Sequence, residues 1–112
     1  MGSITCAGKV VEFDDPLLAH LQIVIVQKFR AREAFLMSWL DAASTGDGRS
    51  AMWLTPDAPV HFKFVGSRSP EIDREWLDVL SRAASSGPGL IVTDKHGVLA
   101  RSTGQHDVGR PH

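Results

Sequence analysis

Three features place this chain of 112 residues among α+β proteins with a mostly antiparallel sheet and two helices. Short β-branched and aromatic runs are separated by turns bearing glycine or proline. Two stretches repeat apolar residues at helical spacing, and most links between elements are too short for parallel crossovers. The expected order is β-β-α-β-β-β-α-β, with both helices covering one sheet face and residues 1–100 forming a single domain. A composition of 43% hydrophobic and 22% charged residues suits a chain that folds around its own core.

The first pair of runs, Ile4 to Cys6 and Val10 to Phe13, flanks Ala7-Gly8-Lys9 and predicts a short hairpin. Asp15-Pro16 then supplies a helix cap and a proline in the first turn, where no amide is lost. Leu17, Leu18, Leu21, Val24, Ile25 and Phe29 follow at helical spacing to about Arg32. Within that helix Ile23 and Val26 fall off the main stripe, so they either form a second packing surface such as a homo-oligomer contact or are covered by further strands of the same chain. Phe35, Met37 and Trp39 alternate with Leu36, Ser38 and Leu40 as a central strand, and Ala51 to Leu54 returns beside it after a glycine-bearing loop. Val60, Phe62 and Phe64 alternate with His61 and Lys63, giving a strand with one core face and one wet face. Ser69-Pro70 predicts the start of the second helix, with Ile72, Trp76, Val79, Leu80 and Ala83 as its stripe. Gly87-Pro88-Gly89 ends it, Leu90 to Val92 closes the sheet, and polar residues 101–112 read as a disordered tail.

The 12 basic and 13 acidic residues nearly cancel, which argues against a domain built mainly to grip a nucleic-acid backbone or an anionic membrane. One cysteine, Cys6, cannot form an internal disulfide. The amino terminus lacks the pattern of a secretory leader, and the run Ile23 to Val26 is too short to span a bilayer, so the expected location is the cytoplasm.

Glu12-Phe13-Asp14-Asp15, Leu18-Ala19-His20-Leu21, Ser38-Trp39, Gly46-Asp47-Gly48-Arg49-Ser50, Trp53-Leu54, Gly66-Ser67-Arg68-Ser69-Pro70 and Arg74-Glu75-Trp76 carry a resemblance. Over roughly residues 8–93 the chain resembles a small uncharacterised actinobacterial family whose members are often automatically labelled "ATP-dependent DNA ligase". The resemblance implies a shared fold and no assigned active site. Ligase chemistry requires a nucleophilic lysine in a Lys-x-Asp-Gly motif. Lys9, Lys28, Lys63 and Lys95 are followed by Val-Val-Glu, Phe-Arg-Ala, Phe-Val-Gly and His-Gly-Val, so self-contained ligase activity is not expected.

Two loops are candidates for anion binding. Arg49 follows Gly46-Asp47-Gly48, but without the spacing of a phosphate-binding P-loop. Ser67-Arg68-Ser69 leads into the second helix, with Ser69 as a simple helix cap the plainer reading and Arg68 paired to Asp47 or Glu71 its main variant. If the two loops met, they would form one basic pocket. Lys28, Arg30, Arg32 and Lys63 are the candidate basic surface, although a solvated helix end is the commoner role for such residues. Histidines 20, 61, 96, 106 and 112 are scattered without ligand spacing, so no metal or cofactor is expected; His20 with Asp14 and Asp15 near it is a candidate acid/base pair, but a surface histidine beside helix-capping acids is the commoner arrangement. Trp39, Trp53 and Trp76 all fall at core-facing positions of their patterns. The function stays open. The favoured expectation is a non-catalytic interaction module, with a nucleic-acid accessory protein or an anion- or nucleotide-binding protein as alternatives.

Overall fold

The structure is a computed structural model that describes residues 2–108. The chain folds as one α+β domain with two helices, but its strands form two sheets rather than one. In the first sheet, β1 (Gly2–Cys6) and β2 (Lys9–Phe13) make the expected hairpin. Its two-residue turn has Ala7 at φ 50° and Gly8 at φ 82°. That is the primed geometry whose twist matches the strands, and it suits glycine better than alanine. After α1 (Asp15–Arg30) come β3 (Phe35–Leu40), a short 3₁₀ turn Ala43–Thr45, and β4 (Arg49–Leu54), paired antiparallel with β3.

The next strand, β5 (Val60–Lys63), leaves β4 and pairs with β1 instead. Helix α2 (Arg74–Ala84) then crosses over to β6 (Leu90–Ile91), which lies parallel to β3. Gly89, at φ 85°, makes that entry possible, because a Cβ there would stand 2.5 Å from the Leu36 carbonyl oxygen.

The C-terminal segment departs from the disordered tail expected from residue 101. Leu40 donates to Ala100 O at 3.0 Å, Ser102 to Leu40 O at 2.8 Å and Thr103 to Glu12 O at 2.7 Å, carrying the chain from one sheet to the other. β7 (Gly104–Asp107) then pairs antiparallel with β2, so the first sheet reads β5-β1-β2-β7 and the second β4-β3-β6. Composition could not signal this, because an edge strand is held by backbone hydrogen bonds that any side chain permits. Residues 109–112 of the expected tail lie outside the described residues.

Ile4, Val11, Phe13, Leu18, Leu21, Ile25, Met37, Leu54, Leu80 and Leu90 join both sheets and both helices in one core. Burial there pushes the Cys6 thiol up, away from the reactive thiolate.

Two helix starts differ from expectation. Asp14, not Asp15, stands at the cap of α1, and the Asp15 carboxylate instead accepts from the amides of Gly66 at 2.9 Å and Val65 at 3.4 Å. α2 begins after Asp73 rather than at Ser69-Pro70. The Asp73 Oδ1 accepts from Glu75 N at 3.0 Å and Trp76 N at 3.2 Å. His20 bonds to this later start. Its Nε2 accepts from the Asp73 amide at 2.9 Å and its Nδ1 bonds the Pro16 carbonyl oxygen at 2.6 Å, while its ring lies 4.2 Å from that of Trp76. The surface histidine expected here is instead buried, and an imidazole between a backbone donor and a backbone acceptor is a structural strut. The α2 stripe also shifts, with Trp76, Leu80 and Ala84 buried and Val79 exposed. Among the described residues no helix is long and apolar enough to cross a membrane.

Candidate interaction surface

The residues singled out for anion binding do not converge. Arg49 opens β4 and lines a shallow crevice with Leu40, Ile91 and Leu99 on the second sheet. Ser67, Arg68 and Ser69 instead line a cleft of about 350 Å³ between α1 and the loop that follows β5. Arg68 forms no ion pair among the described residues. The Asp47 partner expected for it is bonded to Arg101, and the remaining wall is mostly apolar, with Ile23, Phe64 and Ile72 beside the polar Gln22. Ile23 lines this cleft and is half-buried beneath the loop, and Val26 is half-buried on the next turn, so of the two readings of this face the chain's own cover accounts for part of it. Asp15 holds the loop in place, and the amides of Gly66 and then Val65 keep its carboxyl below the usual carboxylate range.

The basic residues do not share one face either. The Lys28 ammonium is largely covered, bonded to Glu33 at 2.7 Å and lying 6.0 Å from the centre of the Phe35 ring. Arg32 approaches Asp57 at 3.8 Å. Lys63 pairs in the ladder with Ser3 beside the first turn of α1, about 20 Å along the helix from Lys28. Among the described residues, no three His, Cys, Asp or Glu side chains are grouped to hold a metal ion.

The second sheet is different. Its inner face buries Phe35, Met37, Trp39 and Leu54, and a chain of hydrogen bonds ties it to the first sheet. Trp39 Nε1 donates to Gln105 Oε1 at 3.1 Å, Gln105 Nε2 to Ser50 Oγ at 3.3 Å, and Ser50 Oγ to Asp41 Oδ1 at 2.6 Å. Its outer face carries Leu36 opposite Trp53, Ser38 opposite Ala51 and Leu40 opposite Arg49. Trp53 is 60% exposed and Leu36 37%. The expectation that all three tryptophans face the core therefore holds for Trp39 and Trp76 and fails for Trp53. In β4 both alternating sets, Ala51 with Trp53 and Met52 with Leu54, are apolar, so period two could not say which set faces in.

The β4 edge is also unpartnered. Ser38 O accepts from Val92 N, while Leu40 bonds Ala100 and Ser102, so these residues turn their backbone groups toward the β6 side of β3. Phe35, Met37 and Trp39 are thus left to bond Leu54, Met52 and Ser50 across the antiparallel register. By the same alternation, the amides and carbonyls of Arg49, Ala51 and Trp53 face outward, and no strand among the described residues pairs with them.

A family model described as a domain of unknown function, DUF7882, matches residues 1–95. The chain belongs to that family. The match takes in the DUF7882 helices, β1 to β6 and the whole outer face of the second sheet, and stops before β7. No curated protein and no solved structure matches this DUF7882 domain significantly.

Proposed function

We propose that this DUF7882 domain is a non-catalytic protein-interaction module whose contact surface is the outer face and free edge of the β4-β3-β6 sheet. One observation carries the reading. A tryptophan 60% exposed and a leucine 37% exposed are cross-strand neighbours on the outer face of an edge hairpin whose inner face is buried in the core. Tryptophan is the side chain most enriched among residues that dominate binding energy, because it removes a large rigid surface from water at little entropic cost. The test is capture by immobilised protein from an extract of the source cells. The wild type should retain a partner that both Trp53→Ser and Leu36→Ser release and Arg68→Ala keeps. Equal retention by wild type and both sheet variants would overturn the reading.

A second reading is favoured by the unpaired guanidinium of Arg68 over a mostly apolar cleft that also presents two serine hydroxyls and the Gln22 amide. This arrangement suits a small anion attached to an apolar body, such as a nucleotide or an acyl carboxylate. A thermal-shift screen of such ligands tests it, because a ligand of the native state raises the melting temperature and Arg68→Ala should abolish the shift. A nucleic-acid accessory role, which the ligase-labelled resemblance suggests, draws less support from a basic set that is partly ion-paired and spread along a helix. A cytoplasmic setting agrees with the single buried thiol.

A further inference from the structure

Every long sheet edge must be protected or used, because its unpaired amides and carbonyls template another strand. The edges of this protein are treated unequally. β5 has four residues, follows Pro59 and carries Lys63; β7 has four residues and carries Asp107 in an ion pair with Lys9; β6 has only two. β4 has six residues in unbroken register with β3, no proline, and a single charge at its start. It is the one long unguarded edge among the described residues.

We infer that β4 pairs antiparallel with β4 of a second copy of this chain, joining two three-stranded sheets into one across a twofold axis at Ala51. The inference rests on the interaction-module reading and names its partner. Its support is the register itself. Hydrogen bonds across the new seam can be made only by the outward-facing residues, Arg49, Ala51 and Trp53. The register that engages all three in both copies sets Ala51 against Ala51 and Arg49 against Trp53 of the second copy. The smallest side chain then stands on the axis, where two large ones would collide. Each arginine lies across the strand from an exposed tryptophan ring, the most favourable aromatic partner for a guanidinium.

The inner side of the seam is complementary as well. There Ser50 faces Met52 of the second copy, next to a groove of about 190 Å³ walled by Val11, Trp39, Met52 and the polar Ser50 and Gln105, with Lys9 at one side, where it pairs with Asp107. The flexible thioether of the second copy fits an irregular groove of that lining. Shifting the register by two residues in either direction leaves an outward-facing residue of β4 unpaired and separates Arg49 from Trp53.

Sedimentation equilibrium over micromolar to millimolar protein tests the pairing. The expected mass rises toward twice the 12.2 kDa of one chain as concentration increases. Ala51→Lys opposes two ammonium groups on the axis and should return the protein to monomer, while Arg49→Gln should weaken association roughly tenfold. Since Ala51 is exposed and its amide is outside the β3 ladder, circular dichroism of these variants should match the wild type. In a Cys6→Ser background, Ala51→Cys should be joined into a covalent dimer by a short bis-maleimide, because facing residues of a hydrogen-bonded pair lie about 5.5 Å apart at Cα.

A monomer at every concentration with no cross-link overturns the inference, as does a dimer that survives Ala51→Lys and gives no cross-link. A monomer that still captures another protein through Trp53 refutes self-pairing and spares the module reading. A monomer without that capture refutes both.

Discussion

Replacing His20 with alanine should destabilise the fold by about 4 kcal/mol. The imidazole is 1% exposed and joins the first turn of α1, at Pro16 O, to the amide of Asp73, the residue that caps α2. Two buried hydrogen bonds contribute about 1 kcal/mol each. Contact with the Trp76 ring, centred 4.2 Å away, adds about 1 kcal/mol, and the emptied ring volume adds at least as much again. Glutamine can return an acceptor near Nε2, so His20→Gln should recover about 1–2 kcal/mol of the loss, whereas His20→Phe fills the space but leaves the Asp73 amide without its acceptor. Urea unfolding measures the free energies, and hydrogen exchange at Asp73 to Leu77 reports whether α2 still starts at its cap. A cost below about 1 kcal/mol for alanine, or phenylalanine outperforming glutamine, would refute the strut.

Three further perturbations follow from the same geometry. Ala7→Asn creates the Asn-Gly pair that the turn favours and should stabilise the protein by about 0.5–1 kcal/mol, seen as a higher midpoint in urea; a lower midpoint would contradict the strained φ of 50° at Ala7. The Asp15 carboxyl is held below its ordinary value, so its clamp on Val65 and Gly66 is complete above about pH 4 and is lost as pH falls through the lower folded-state value. Exchange protection of those two amides should fade over that acidic range and be absent at neutral pH in Asp15→Ala; protection that is insensitive to acid would rule the clamp out. Ending the chain at Thr103 removes the ladder between β7 and β2 and the Gln105 bonds to Trp39 and Ser50, at a cost of about 2 kcal/mol. The fluorescence of Trp39 should shift to the red, and an unchanged melting temperature would mean that β7 adds nothing.

Legibility in the sequence follows the range of the forces involved. The β1-β2 hairpin, the extent of α1 as far as Arg30, the β3-β4 hairpin and the end of α2 near Gly87 are written locally, in turn residues and in apolar spacing that a few neighbouring positions display. The candidate surface was only half legible. The pattern marks Leu36 and Trp53 as strand residues but not their exposure, because β4 alternates one apolar set with another and nothing local marks the inner face. The Ser67-Arg68-Ser69 loop was visible as polar and glycine-led, yet its separation from Arg49 depends on which sheet β5 joins.

That choice, like the others that shape the surface, is made at long range. β5 lies beside β1, β6 runs parallel to β3, and polar residues 104–107 become a strand because β2 offers unpaired amides and carbonyls. α2 starts after Asp73 rather than at Ser69, at a residue whose side chain caps the helix and whose amide donates to His20 across the core. The residues themselves determined the elements, since helical and strand periodicities and turn conformations are properties of neighbours along the chain. Only the tertiary structure decided the partners, the edges and the exposed face, since backbone hydrogen bonding between strands is almost blind to side-chain identity and is settled by which pairings bury the shared core.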